Sequence, residues 1–518
     1  MSQVAHPKSP SIAAATRIDS AEVRSGVNVA GYLRTESGVG QASRGYVQAL
    51  RSLGVPVSLR DLSCLSGNRA QDESLTEFDK RLPYDTNLIC ADIEPLFGLI
   101  GELGDAFFDR YNVGIWAWEL PRFPEKWYDR FAYYDEIWVA TSFIANVLSP
   151  ISPIPIVRIP PVLAAAEGSR EAGRARLGAA DDETVFLFVF DVNSHLARKN
   201  PFAAIEAFKQ AFRPSDSARL VLKCVNGASD REGFAKLTSM AAGARIEIHN
   251  GYWPAAHVHD LMAACDVYVS LHRSEGTGLT ITDAMSLGKP VIATGWSGNM
   301  DFMSVSNSFP VRYELVELQE SCGPYKKGET WAEPSVAHAA EMMRQAFNDR
   351  ALAAKLGAAA KKDLAAAASE EAVAKLIEQR LKAIGDRKRL KEYRSENQSR
   401  YFGYRAMITH LQDTVHRVTP PGAVVAVVSK GDTELVDHPG RTAWHFPQAE
   451  SGVYAGHYPS DSSAAITHLE ALRAKGAQFL VIPESSGWWL DHYREFASHL
   501  DGRYSRIHAD EQCIVYRL

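Results

Sequence analysis

The chain has 518 residues, too many for one hydrophobic core, and at roughly 100–200 residues per domain it divides into two to four domains. Hydrophobic residues at 46%, charged residues at 23%, 36 Gly and 25 Pro exclude a disordered, collagenous or membrane-spanning chain. With 56 basic against 62 acidic side chains the net charge is −6, which argues against a nucleic-acid partner because nothing draws the chain as a whole to a polyanion.

Residues 1–24 are polar and rich in Ala and Ser, and read as a disordered tail with no apolar run of signal-peptide length. From there the pattern alternates. A buried strand over 27–33, a Gly-containing loop over 34–40, a helix over 41–53 and a strand over 55–59 form a β-loop-α-β unit. Short apolar strands at 87–91, 112–118, 136–140 and 156–159 continue it, giving a Rossmann-like domain over 25–165. A second series, with strands at 185–190, 219–224, 245–249, 267–271 and 290–294, gives a second doubly wound parallel-sheet domain over 166–385, whose Ala-, Lys- and Glu-rich end reads as helices packing back.

Residues 386–414 read as a linker helix. Its basic run, 387–405, carries Tyr393, Tyr401, Phe402 and Tyr404; a solvated connector is the plain reading and a membrane-surface or partner-binding helix the alternative. A compact α/β unit over 415–518 follows, with strands at 423–428, 478–482 and 512–516 and helices at 464–475 and 488–500. Its role is open. Trp488, Trp489 and Tyr493 are at helical spacing and read as core or docking surface, with a glycan platform the alternative.

The six cysteines, Cys64, Cys90, Cys224, Cys265, Cys322 and Cys513, form no C-x-x-C pair, and no His cluster has zinc-finger spacing. They read as buried thiols in a reducing compartment. With no stretch of 18 uncharged apolar residues, the expected location is the cytoplasm.

The most informative segment runs His272-Arg273-Ser274-Glu275-Gly276-Thr277-Gly278-Leu279-Thr280-Ile281-Thr282-Asp283-Ala284-Met285. It follows the strand at 267–271, so it sits where open α/β sheets bind ligands, and the amides at Gly278 and Leu279 open a helix whose positive end suits a phosphate. Glu275 and Asp283 on either side of that point can accept from hydroxyls flanking a diphosphate, which describes a nucleotide sugar. Upstream, Asp191-Val192-Asn193-Ser194-His195-Leu196-Ala197-Arg198-Lys199-Asn200-Pro201 joins another strand to a helix at 202–212 and offers a pair of cations.

These segments resemble family 4 of the retaining glycosyltransferases, whose signature is Glu, seven residues, Glu, with Gly-Leu inside and Ala-Met after the second acid. Asp283 stands where the family usually has Glu, and Thr277 where an aromatic residue is common. The resemblance implies a GT-B architecture, two Rossmann-like domains facing a cleft, and a metal-independent transfer with no cofactor. It also implies the roles: Glu275 holding the donor hexose, Asp283 the ribose, and Lys199, with Arg198 beside it, the departing diphosphate. Many relatives carry an Arg near Asn193, where this chain has none. Tyr252 and Trp253 lie in the turn where relatives place the nucleobase, with packing at a domain seam the other reading. In the first domain, Gly38 and Gly40 occupy the loop whose equivalent in relatives approaches the diphosphate, and the resemblance implies the same role for them. Trp116, Trp118 and Glu119 resemble a Trp-Glu element of a bacterial subset and are candidates for the acceptor, with core packing the alternative.

The implied reaction moves a hexose, mannose from GDP-mannose being the guess, to a surface polysaccharide or a lipid-linked oligosaccharide. That acceptor would bring peripheral contact with the cytoplasmic face of the inner membrane. Two alternatives remain open: a GT-B epimerase or phosphorylase, and a non-catalytic carbohydrate-binding scaffold.

Overall fold

A computed structural model describes residues 24–163 and 167–518. The expected tail, apart from Arg24, therefore lies outside the described residues. The described chain divides into two compact units, before and after Leu381.

The first unit contains two six-stranded parallel sheets. One is built from β1 (Arg24–Gly31), β2 (Val57–Asp61), β3 (Tyr84–Cys90), β4 (Tyr111–Ile115), β5 (Glu136–Val139) and β6 (Ile156–Arg158), in the order β2-β1-β3-β4-β5-β6. The other is built from β7 (Thr184–Asp191), β8 (Ala218–Val225), β9 (Ile246–Asn250), β10 (Val267–Ser270), β11 (Val291–Thr294) and β12 (Phe309–Val311), in the order β12-β11-β10-β7-β8-β9. Strands covered on both faces read as near-continuous apolar runs. Val185, Phe186, Leu187 and Phe188 of β7 accordingly all lie in the core.

Chain order reverses between β1 and β3 in the first sheet and between β7 and β10 in the second, which opens a crevice at the carboxyl ends of each. Register in the first sheet is pinned by buried amides. Asn28 Nδ2 donates to Asn87 Oδ1, and Asn87 Nδ2 donates to Asn112 Oδ1, both at 2.9 Å, across β1, β3 and β4. Asn112 Nδ2 then donates to the Phe107 carbonyl at 2.6 Å.

Several elements depart from the sequence reading. Gly38, Val39 and Gly40, expected in a loop, form the first turn of the helix Gly38–Ser52, because Ser37 caps it by accepting from the Gly40 amide. A hairpin, β13 (Tyr313–Glu317) and β14 (Thr330–Pro334), and the edge strand β12 were not anticipated. β13 is mostly exposed, and β12, though Phe309 and Val311 are buried, is only three residues long with a central proline, so neither offers an alternating run long enough to read. The thiols also differ. Cys90, Cys224, Cys265 and Cys513 are buried, but Cys64 is exposed and Cys322 half-buried; all six are free.

The basic run over 387–405 lies in the long helix Glu370–Val418, and Leu390, Tyr393, Tyr401 and Phe402 are exposed on it. The second unit holds a five-stranded mixed sheet: β15 (Val424–Val428), β16 (Thr442–Phe446), β17 (Phe479–Pro483), β18 (Ser505–Ala509) and β19 (Cys513–Arg517), in the order β16-β15-β17-β19-β18. Met407, Ile408, Leu411 and Val415 pack with Val425, Val427 and Val481 in one of its two apolar clusters. Trp489 and Tyr493 are in the other, whereas Trp488 is largely exposed. The helix expected over 488–500 is two, Trp488–His492 and Arg494–Arg503. β16 and β18 were not read from the sequence.

The expected fold class is therefore the observed one: two Rossmann-like parallel sheets and a smaller C-terminal α/β sheet. Among the described residues no helix is long and apolar enough to cross a membrane.

Candidate functional site

The carboxyl-end loops of the two large sheets enclose one cleft of about 920 Å³, the size range of small-molecule sites. At its centre is Glu275, in the loop after β10. Lys199 closes the short helical turn Leu196–Lys199 after β7; Asn200 breaks that turn at φ 53°, and Pro201 opens the helix Pro201–Ala211. This brings Lys199 Nζ within 2.5 Å of Glu275 Oε1, with Arg198 Nη1 3.3 Å from Oε2. Arg198 Nη1 also donates to the Ser274 carbonyl at 2.8 Å.

Electrostatics follow from one acid held between two cations. Burial alone raises the Glu275 carboxyl, but Lys199 and Arg198 outweigh it and hold the group down at about 2. Burial also works against the charge on Arg198, yet Tyr325, Glu275 and Glu119 keep it firmly protonated. The Lys199 ammonium is pulled down by burial and by Arg198, with Glu275 opposing.

The Glu275 loop is braced on every side. Ser297 Oγ accepts from the Glu275 amide at 2.9 Å, and the Gly298 amide donates to the Glu275 carbonyl at 2.9 Å. Thr141 Oγ1 donates to the Gly276 carbonyl at 2.7 Å, and Ser274 Oγ donates to the Glu119 carbonyl. Arg273 pairs with Glu333 at 2.6 Å, donates to the Ala197 carbonyl at 2.7 Å and stacks on Trp331.

Gly278, at φ 82° in the left-handed region that favours glycine, starts the helix Leu279–Ser286, and no side chain caps that end. Facing it is the start of the helix Gly38–Ser52: a Cβ on Gly38 would sit 3.2 Å from Leu279 Cδ1. Two helix N-termini thus converge on the same part of the cleft, a field suited to an anion. Gly40 is different. A Cβ there would lie 2.3 Å from the Thr35 carbonyl oxygen, so its smallness serves the turn itself.

Asp283, in the helix Leu279–Ser286, accepts from Gln41 Nε2 at 3.1 Å, and its carboxyl is pushed up to about 7 by desolvation, which that hydrogen bond only partly offsets. Tyr252 and Trp253 both line the cleft. The Tyr252 hydroxyl donates to Asn226 Oδ1 at 3.2 Å and its ring lies under Arg69; Trp253 lies 5.1 Å from Lys223 Nζ.

On the first-sheet side, Trp116 and Glu119 line the cleft and Trp118 does not. The Trp116 ring is almost fully buried, stacked on Phe123 at 5.7 Å. Trp118 points into the same aromatic cluster, its indole N–H donating to the Arg122 carbonyl at 2.8 Å. Glu119 Oε2 accepts from the Tyr325 hydroxyl at 2.9 Å.

Sequence reasoning missed Gln41, Ser297 and Tyr325, which touch the predicted acids only through the fold, and Lys223, whose buried ammonium donates to the Gly251 and Cys224 carbonyls at 2.5 and 3.1 Å at the cleft wall. It also missed Asp92, a cleft carboxyl pushed up to about 6 by desolvation and by Glu119 and Glu94. Ser297 and Gly298 belong to the loop after β11, whose position against Glu275 depends on the fold and not on local sequence.

Known proteins bear on this geometry. Residues 169–306 match the family model described as glycosyl transferases group 1. The chain is 34% identical over 139 residues to a D-inositol 3-phosphate glycosyltransferase of Geodermatophilus obscurus, covering 25% of this chain; it spans about 30% of that relative's length. Among solved structures, a sucrose-phosphate synthase of Thermosynechococcus elongatus superposes with a TM-score of 0.52 at 17% identity, over 70% of this chain and 100% of that one. Anabaena HepE, solved with UDP and glucose, gives 0.48 at 14% identity over the same shares. Residues 169–306, which supply Glu275, Lys199 and Asp283, thus match the glycosyl transferases group 1 model and are set in a GT-B fold.

Proposed function

We propose that the chain is a retaining glycosyltransferase that takes a hexose from a nucleoside-diphosphate sugar and passes it to a glycan hydroxyl. The observation that carries this reading is the Glu275 carboxylate held between Lys199 and Arg198 beside two converging helix N-termini. A diphosphate at that point meets backbone dipoles and the Lys199 ammonium. As the sugar–oxygen bond breaks, negative charge grows on the departing diphosphate, and these fixed positive groups stabilise it without reorganising.

Glu275, kept ionised, accepts from a hexose hydroxyl. Asp283 takes the ribose hydroxyls in exchange for Gln41, and Tyr252 and Trp253 flank the base. The acceptor enters from the first-sheet wall, past Trp116 and Glu119. Its hydroxyl attacks on the face the diphosphate leaves, the new glycosidic bond forms as the old bond breaks, and the leaving phosphate takes the proton. The acceptor in this reading is a surface polysaccharide or its lipid-linked precursor, handled in the cytoplasm at the membrane surface, with GDP-mannose the first donor to try.

The test is a thermal-shift panel of UDP-, GDP-, ADP- and TDP-sugars. A true donor at a hundredfold excess over its Kd adds about 2.7 kcal/mol of stability and raises the melting temperature. A flat panel overturns the reading. With the donor known, the anomeric configuration of the product, read by NMR, decides between retention and inversion.

A further inference from the structure

We propose that the second unit carries a zinc site built from His410, His508, Asp510 and Cys513. One ligand atom from each of the four lies within 4.8 Å of the others. His410 Nε2 and His508 Nε2 both stand 2.7 Å from the same oxygen, Asp510 Oδ2. The thiol of Cys513 completes the group from the buried side.

Two structural elements build the site. His410 lies on the part of the helix Glu370–Val418 whose Ile408 and Leu411 pack into the sheet's apolar cluster, so its backbone is fixed. The other three come from the hairpin β18–β19, and Asp510 organises that turn: its amide donates to the Cys513 carbonyl at 3.1 Å. Its Oδ1 accepts the amides of Gln512 and Cys513, both at 2.9 Å. With Oδ1 tied to the backbone, Oδ2 is aimed at the two imidazoles. Such outer hydrogen bonds are how proteins orient metal ligands.

The donor set selects the ion. Two imidazole nitrogens, one thiolate and one carboxylate oxygen are the ligands zinc takes in tetrahedral sites, whereas the hard cations calcium and magnesium prefer all-oxygen sets. Four protein ligands leave no position for water, so the ion is a structural clamp between helix and hairpin rather than a catalytic centre. Binding requires each imidazole to present its Nε2 lone pair and Cys513 to give up its proton to solvent. The site lies wholly within the second unit and makes no demand on the transfer chemistry.

The test uses the full chain with its affinity tag removed. Expressed with added zinc, it is expected to hold about one zinc per chain by elemental analysis, as a closed four-ligand site does. Replacing zinc by cobalt(II) is expected to give a tetrahedral visible spectrum and a near-ultraviolet thiolate-to-cobalt band. Cys513→Ser is expected to abolish that band, and Asp510→Asn, which keeps the amide-accepting oxygen and hence the hairpin, to weaken retention of the metal against a chelator. A chain that takes up neither metal, or a cobalt complex lacking the thiolate band in the unaltered protein, overturns the proposal; both readings come from the wild-type chain and do not depend on a variant folding.

Discussion

Gln41 Nε2 donates to Asp283 Oδ1 at 3.1 Å, so a side chain from the first sheet's leading helix occupies the carboxylate that the proposed reaction assigns to the ribose. The donor must displace that amide. Gln41→Ala is expected to cost about 1 kcal/mol of stability while leaving donor affinity unchanged or tighter. Asp283→Ala is expected to weaken donor binding. Calorimetric titration of both variants separates the two roles, and parallel losses would refute the displacement.

The same carboxyl predicts a pH dependence. Its folded value of about 7 lies above the ordinary 3.8, so the neutral form is favoured in the folded chain. Its contribution to stability is present at low pH and is lost as pH rises through about 7. Donor affinity is expected to run the other way, rising over that window as the stronger acceptor forms, and Asp283→Asn is expected to flatten the rise. A profile unchanged in that variant would assign the titration to the donor's own phosphates.

Glu275 titrates in the opposite sense. Its folded value, about 2, lies below the ordinary 4.5, so it stabilises the chain above pH 4.5 and that contribution is lost as pH falls through about 2. Glu275→Ala leaves Arg198 and Lys199 buried without their counter-charge and is expected to cost about 3–5 kcal/mol along with turnover. Lys199→Ala keeps the Arg198–Glu275 pair, and is expected to lower kcat by about 10²–10³ with the melting temperature nearly kept. Urea unfolding beside steady-state kinetics distinguishes the two.

The paired glycines are expected to behave differently. Gly40→Ala forces a Cβ against the Thr35 carbonyl and lowers stability whatever the ligand. Gly38→Ala meets only the flexible end of Leu279, so stability is expected to stay within about 0.5 kcal/mol while donor KM rises. An unchanged KM would remove this helix start from the diphosphate site.

Trp118 is expected to act through packing. Trp118→Ala should cost about 3–5 kcal/mol, and Trp118→Phe less, with acceptor KM unchanged in the second variant. A large KM effect from Trp118→Phe at near-native stability would restore it to acceptor recognition.

Much of the site was legible in sequence because its chemistry is local: Glu275, Gly278 and Asp283 lie in one strand-to-helix segment, and Lys199 in another that chain topology places alongside. What could not be read depends on long-range closure. Ser297 supports Glu275 from 22 positions away and Gln41 meets Asp283 from 242. Trp116 and Trp118 left two readings open in the sequence, and the fold separates them: both are buried, but Trp116 lines the cleft and Trp118 does not. The cluster of His410, His508, Asp510 and Cys513 has no spacing signal at all, because one member is 100 residues from the hairpin. The strands missed were short, exposed or at edges, where alternation carries no information.

The chain of Asn28, Asn87 and Asn112 reaches beyond its own sheet. Sliding β3 by one residue would turn Asn87 to the opposite face and strand the amides on either side. Hydrophobic strands of this kind tolerate slippage poorly once such polar pegs are in place, and the peg also fixes where each strand stops. Gly31 and Cys90, the last residues of β1 and β3, end level with one another. Three carboxamides that do not line the cleft thereby set the register of the strands whose ends open into it.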